Sequence, residues 1–308
     1  MPAMEMNLHK GSGASEQALS AADSPAGEES YLRMVVRRFA KHKLAVAGLA
    51  VMLILTVCAI FAPLLAPHDP YEVTGSFEAE PSSQYLLGTD QVGRDVLSRL
   101  IYASRVSLVV GIGAVAIGVT IGTILGLVSG YFGGWVDMVV MRLTDIFMSF
   151  PQLMLILVVV SVVGPSLTNV IVVLGFLGWT GVARLVRGSV LSLKQMDYVK
   201  AGVALGLGTA RMLFLHILPN AMAPILVNAT FGIAGAIIAE ASLSFLGLGV
   251  QPPTASWGNM LTDAQSLTVL TSQPWLWLPP GIMIILSVLS VNFIGDGLRD
   301  ALDPKSLK

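Results

Sequence analysis

The chain has 308 residues, 54% of them hydrophobic and only 12% charged, with a mean hydropathy of +0.76. That balance excludes an ordinary soluble domain and reads as a polytopic membrane protein. A net charge of −1 supplies no global field for nucleic acid or an acidic ligand, and the single cysteine, Cys58, cannot close an internal disulfide and reads as a packed membrane thiol.

Residues 1–30 are rich in Ala, Ser, Gly and Glu, lack hydrophobic periodicity and hold no apolar signal-peptide core, so a disordered cytoplasmic tail is expected there. A basic arm, 31–43, follows. A hydrocarbon core of about 30 Å takes roughly 20 helical residues, with every backbone group satisfied inside the segment. Six stretches qualify: 44–65, 106–128, 135–164, 167–183, 212–239 and 275–295. The fold expected is therefore all-α, with six transmembrane helices. After Glu240, "SLSFLGLGVQPPTASWGNML" carries paired prolines and several glycines, and is expected to fold back against the outer membrane face. Trp257 within it reads as an interfacial anchor in preference to a substrate contact.

Orientation follows from the Lys and Arg of the short loops. With the N-terminus inside, the inner segments hold Arg33, Arg37, Arg38, Lys41, Lys43, Arg142, Arg184, Arg187, Lys194, Lys200, Arg211, Arg299, Lys305 and Lys308. The outer segments hold only Arg94, Arg99 and Arg105. Both termini are therefore expected to be cytoplasmic, and 184–211 becomes the longest inner loop.

Several motifs are missing. No Lys follows Gly and precedes Ser or Thr, so the phosphate-cradling loop of nucleotide-binding proteins is absent. There is no His-Glu-x-x-His and no Cys-x-x-Cys, and His9, His42, His68 and His216 are scattered. Neither metal binding nor catalysis is indicated. Gly118, Gly122, Gly126 and Gly130 recur every fourth residue, a pattern that lets another helix approach closely, or else leaves room along a substrate path. Asp137, Arg142 and Asp145 fall near the start of the third span; a local Arg142–Asp145 pair at headgroup level is the expected reading, a functional intramembrane charge the alternative.

The inner loop contains "YVKAGVALGLGTARMLFLHILPN", from Tyr198 to Asn220. Asp197 is placed to cap a helix that sets Val199, Val203 and Gly206 or Leu207 on one side and Lys200, Gly208 and Arg211 elsewhere. So short a helix needs docking, onto its own bundle or into a groove on another protein, and the plain alternative is a connector. Gly202 and Gly206 permit close backbone approach, while Pro219 and Pro224 loosen the start of the fifth span.

This stretch resembles the cytoplasmic EAA loop of ATP-binding-cassette importer permeases. Lys200, Ala201 and Gly202 stand where Glu-Ala-Ala is expected, Gly206 matches the motif Gly, and His216, Ile217, Leu218 and Pro219 match its end. Lys200 for Glu and Gly202 for the second Ala are departures. "LGTDQVGRDVLSRLIYASRVSLVVG" from Leu87, "AEASLSFLGLGVQPPTASWGNML" from Ala239 and the arm "RRFAKHKLAVAGL" resemble the second permease subunit of dipeptide, oligopeptide and nickel importers.

The resemblance implies a type I permease bundle in the bacterial plasma membrane and a chain that is not itself an enzyme. It implies a second, homologous permease as partner, two nucleotide-binding subunits that use ATP-Mg, an extracytoplasmic solute-binding protein, no cofactor on this chain and no nucleic acid. It makes Val199 to Arg211 the coupling helix, with Val199, Lys200, Ala201, Gly202, Gly206, Arg211, His216, Leu218 and Pro219 as its site residues. Short peptides are the expected cargo, nickel or another small solute the alternative. The mixed-charge stretch 66–105 is then a solvated connector or part of a docking face for the binding protein. A secondary transporter is disfavoured, because the midplane is nearly charge-free and no internal repeat is visible.

Overall fold

The computed structural model describes residues 31–303; the expected tail at 1–30, and Lys305 and Lys308, lie outside the described residues. Among the described residues every element is helical, apart from one isolated bridge between Thr89 and Asp95. In chain order these are α1 (Tyr31–Lys41), α2 (Lys43–Ile60), α3 (Ala62–Leu65), α4 (Val96–Phe132), α5 (Gly134–Met148), α6 (Gln152–Val163) and α7 (Leu167–Leu193). Then come α8 (Asp197–Ala204), α9 (Thr209–Arg211), a π-helical turn (Met212–Ile217), α10 (Leu218–Phe245), α11 (Trp257–Met260), a 3-10 turn (Leu261–Gln265), α12 (Leu267–Ser272) and α13 (Pro274–Leu302).

Five segments are singly long and apolar enough to cross a membrane: α2, α4, α7, α9 through α10, and α13. The sixth is broken. Where one span over 135–164 was expected, α5 and α6 meet at 86°. The cause is local: Pro151 pushes the residue before it out of the α region and lacks the N–H that would continue the helix.

Two other helices outrun their apolar stretches. Asp95 caps α4 by accepting from Ser98 N at 2.9 Å, so the helix starts at Val96 within a stretch expected to be connector. Helix α7 continues to Leu193, which places Arg184 and Arg187 on a helix and not in the loop. Large apolar side chains face outward along the spans, among them Leu64 (80% exposed) and Val162 (83%). In water such surface is a liability, whereas in lipid it is the solvent-facing side.

The tightest packing joins α4 to α7. A Cβ on Gly122 would lie 2.6 Å from the Trp179 carbonyl oxygen, one on Gly126 2.6 Å from that of Ala183, and one on Gly130 2.8 Å from Val190 Cβ. The four-residue glycine repeat is thus a contact stripe. It holds two helices at a separation that any side chain would enlarge.

The bundle has two distinct ends. Phe39 of α1 packs against Gly297 of α13, and Lys194 Nζ donates to the Tyr131 carbonyl oxygen at 2.6 Å, so α1, the α4–α5 corner, the α7–α10 loop and the end of α13 share one end. Arg33, Arg37, Arg38, Lys41, Lys43, Arg142, Arg184, Arg187, Lys194, Lys200, Arg211 and Arg299 collect there, and it is called the basic end below. The far end carries the α3–α4 connector and the α10–α13 connector, with Arg94, Arg99 and Arg105.

Candidate functional site

At the basic end, α8 is entered through Met196, which holds the N-cap position; Asp197 is the first helical residue, one place later than expected. There its carboxylate complements the positive end of the helix. Val199 is 2% exposed, and a Cβ on Gly202 would come within 2.5 Å of Met212 Cε. The inner face of α8 therefore sits directly on the π turn, with Val186, Val190 and Ile217 in the same apolar cluster.

The expected helix from Val199 to Arg211 is two pieces. Gly206 takes φ +77°, Gly206 N bonds to Val203 O at 3.0 Å and Leu207 N to Gly202 O at 3.0 Å. That pair of bonds is a Schellman stop, which ends α8 at a residue able to adopt the left-handed conformation. Helix α9 then restarts after Gly208. Of the sequence-predicted residues, Val199 and Gly202 face inward, Lys200, Ala201, Gly206 and Arg211 are exposed, and His216, Leu218 and Pro219 belong to the π turn and the start of α10. Tyr198 (46% exposed), Val203 (55%) and Leu205 (82%) give the outward side an apolar surface that sequence spacing had assigned differently, since Val203 was expected beside Val199.

The π turn has a visible origin. Leu218 N bonds to Leu213 O, five residues back, and Pro219 has no N–H to continue an α ladder. Asn220 Nδ2 instead donates to the His216 carbonyl oxygen at 2.6 Å. Helix α10 continues from this turn into the bundle. Along its length it lines a cavity of about 430 Å³ shared with α4, α6 and α7, whose walls include Ala114, Gly118, Gln152, Asn228, Gly232 and Gly235. No wall residue is charged. The volume lies in the range of small-molecule sites, and Gln152 and Asn228 are its polar groups.

Two ion pairs tie α5 to α7 near the loop. Arg187 Nη2 lies 2.6 Å from Asp137 Oδ2, with Ser129 Oγ also donating to that carboxylate, and Arg184 Nη2 lies 2.7 Å from Asp145 Oδ1. The expected Arg142–Asp145 pair is therefore replaced. Bringing α7 alongside α5 offers Asp145 a guanidinium from another helix. Residues separated by 50 positions along the chain meet here, which no spacing within one span could indicate.

At the far end, the stretch after Glu240 does fold back on the bundle. Glu240 is fully buried; its carboxylate accepts from Ser107 Oγ at 3.2 Å and Ser244 Oγ at 2.6 Å. Trp257 N donates to Ser107 Oγ at 3.2 Å, and the Trp257 side chain is 0% exposed in a core with Leu100, Ile237 and Leu276. Trp257 is thus a core residue and not an interfacial anchor. Its indole fills the gap that the folded-back segment would otherwise leave against α4 and α10.

Comparison with known proteins gives a consistent answer. A family model described as a binding-protein-dependent transport system inner membrane component matches residues 122–308. One for the N-terminal transmembrane domain of oligopeptide transport permease C matches residues 30–85. The chain is 43% identical to the dipeptide transport system permease protein of Alkalihalophilus pseudofirmus over 289 residues, covering 92% of this chain and 94% of that one. It is 43% identical to the di/tripeptide transport system permease protein of Pseudomonas aeruginosa, covering 90% and 93%. Against the oligopeptide transport system permease protein of Bacillus subtilis the identity is 42%, covering 88% of each.

Proposed function

This chain belongs to the family of inner membrane components of binding-protein-dependent transport systems, and from that premise we propose that it is one permease of a heterodimeric, ATP-driven importer of short peptides. Peptide cargo is supported by what the relatives transport. The basic end faces the cytoplasm, as the distribution of Lys and Arg favours. Two ATPase subunits supply ATP-Mg chemistry that this chain lacks, and a solute-binding protein delivers the peptide at the far end.

The observation that carries the reading is the seat of α8 on the π turn. Val199 and Gly202 press on Met212, while Tyr198, Val203 and Leu205 point outward as an apolar knob for a groove on an ATPase subunit. When the ATPase pair closes, the knob is pulled, the π turn moves with it, and α10 shifts along the cavity wall. Single π-helical turns within α-helices recur at functional sites, which fits this position. The uncharged cavity gives a peptide's amide groups a few partners in Gln152 and Asn228 without a deep trap, which suits passage more than retention. Selectivity then rests with the binding protein.

The test is reconstitution of the complete transporter in vesicles. Leu205→Glu is expected to weaken co-purification of the ATPase subunits, and Gly202→Leu, which unseats α8 from Met212, to leave ATPase binding intact while abolishing peptide uptake. Full uptake by both variants would overturn the assignment of α8 as the coupling helix.

A further inference from the structure

The far end contains a second cavity, of about 270 Å³, enclosed by the α3–α4 connector, the start of α4 and the α10–α13 connector. Its walls include Asp90, Arg94, Arg99, Val250, Met260 and Asp263. Asp90 is already saturated. Oδ1 accepts from Val92 N at 3.0 Å and Arg94 N at 2.9 Å, while Oδ2 accepts from Arg94 Nε at 2.8 Å and lies 3.3 Å from Arg99 Nε. One carboxylate thus serves two guanidinium groups. Arg99 is 5% exposed, and its Nη1 is buried with no hydrogen-bond partner among the described residues. Asp263 enters none of these contacts. A buried guanidinium nitrogen left unmatched is costly, which marks the place where an external oxygen would be taken up.

Resting on the peptide-import reading above, we propose that this cavity is a socket for the terminal carboxylate of a peptide arriving at the far end. Arg99 supplies the free donor, and a second carboxylate balances the second guanidinium. The cavity, of about 270 Å³, is of a size to hold the terminal residue of a peptide. Beside the guanidinium groups stand Val96, Val250, Met260 and Leu276, an apolar wall for the last residue's side chain. An acidic side chain projecting from a docked protein has no such group to place there.

Asp263 sets the pH dependence of the socket. Burial, and then the Asp90 carboxylate, push its carboxyl up to about 6, against the pull of Arg99 and Arg94. The charged groups acting on it are Asp90, Arg94 and Glu78 from the α3–α4 connector and Arg99 from α4; α10 and α13 bring Ser244 and Leu276 to the cavity, which are uncharged. An ionised Asp263 repels the incoming carboxylate, and a protonated one does not. Occupancy therefore rises as the far side acidifies through about pH 6.

The test uses the complete transporter in nanodiscs, without binding protein, and a tripeptide ending in photo-leucine, as the free acid and as the C-terminal amide. Irradiation followed by peptide mapping is expected to label 250–263 about tenfold more with the acid than with the amide at about pH 5.5. That preference is expected to shrink at about pH 7.5, return at that pH in Asp263→Asn, and vanish in Arg99→Gln. If Arg99→Gln fails to assemble with its partners, the acid-to-amide ratio on the unmodified protein and on Asp263→Asn decides. Equal labelling by acid and amide means that the cavity does not recognise the terminal carboxylate, and overturns the proposal. So does acid-specific labelling elsewhere, or labelling of 250–263 displaced by binding protein carrying no peptide, which would assign the socket to a side chain of that protein. Peptide uptake by the same preparation with binding protein, measured in vesicles, separates the two readings. Uptake without socket labelling sinks only the socket, whereas absence of uptake of any peptide sinks the peptide reading.

Discussion

The two ends of the bundle treat charge in opposite ways. At the basic end Asp137 and Asp145 are matched one to one by Arg187 and Arg184, with side chains between 20% and 55% exposed. At the far end Glu240, Asp90, Asp95 and Arg99 are each no more than 5% exposed, and they are held by serines, backbone N–H groups and shared guanidinium groups. Solvated pairs cost little to break and remake, whereas buried polar networks are costly to disturb. The difference suits one end for movement and the other for holding its shape. The π turn under α8 lies at the first end and the enclosed Trp257 at the second.

The comparison is most severely tested at Glu240. Replacing it with Ala leaves Ser107 and Ser244 without their acceptor inside a sealed core and opens a void, and is expected to cost about 3 kcal/mol. Thermal melts of the purified permease pair would show this as a clear drop in Tm, and Glu240→Gln, which keeps an acceptor oxygen, should recover most of it. A melt unchanged by Glu240→Ala would remove the contrast between the ends.

Next in size is the helix contact that joins them. Gly126→Leu must displace the Ala183 carbonyl and Val186, so overpacking of about 1–3 kcal/mol is expected between α4 and α7. Because Gly126 lies toward the basic end, uptake should fall further than stability; a variant that melts early yet transports normally would contradict this. Smaller still are the ion pairs themselves. Asp137→Asn is expected to cost about 1 kcal/mol, and Asp145→Asn, whose pair is about half exposed, less than that and less again in high salt. Double-mutant cycles with Arg187 and Arg184 measure both.

How much of this was legible beforehand follows the range of each interaction. The all-helical character and the position of the long apolar segments are written in local hydropathy, and the glycine stripe on α4 in a four-residue repeat. The loop motif was also legible as a motif, from Lys200 to Pro219. Its geometry was not, because Gly206 was read as a contact residue when its left-handed φ makes it the stop of α8. The break at Pro151 carried a signal that hydropathy outweighed. What spacing could not supply were the partners of charges. Asp145 had Arg142 three residues away and took Arg184 from another helix, and Glu240 met Ser107 across 133 positions. Trp257 was misjudged for the same reason: a tryptophan in a stretch broken by prolines and glycines at the outer face reads as interfacial until the segment is known to cover a core.

The finest discrimination between the ends is a titration. Asp263 has its carboxyl raised from the usual carboxylate value to about 6. The folded state therefore binds this proton more tightly than the unfolded chain. The stabilisation is present in full below about pH 4 and is lost as the pH rises through about 6. Melts of the wild-type complex should show this falling component between those values. Subtracting the Asp263→Asn profile isolates it, because Asn carries no proton to lose. A difference profile flat across that window would mean that water reaches Asp263 freely and that the far end is less sealed than Glu240 and Trp257 make it. A step centred near pH 6 would show that Asp263 stands in a poorly hydrated wall of the far-end cavity, outside the sealed core of Glu240 and Trp257.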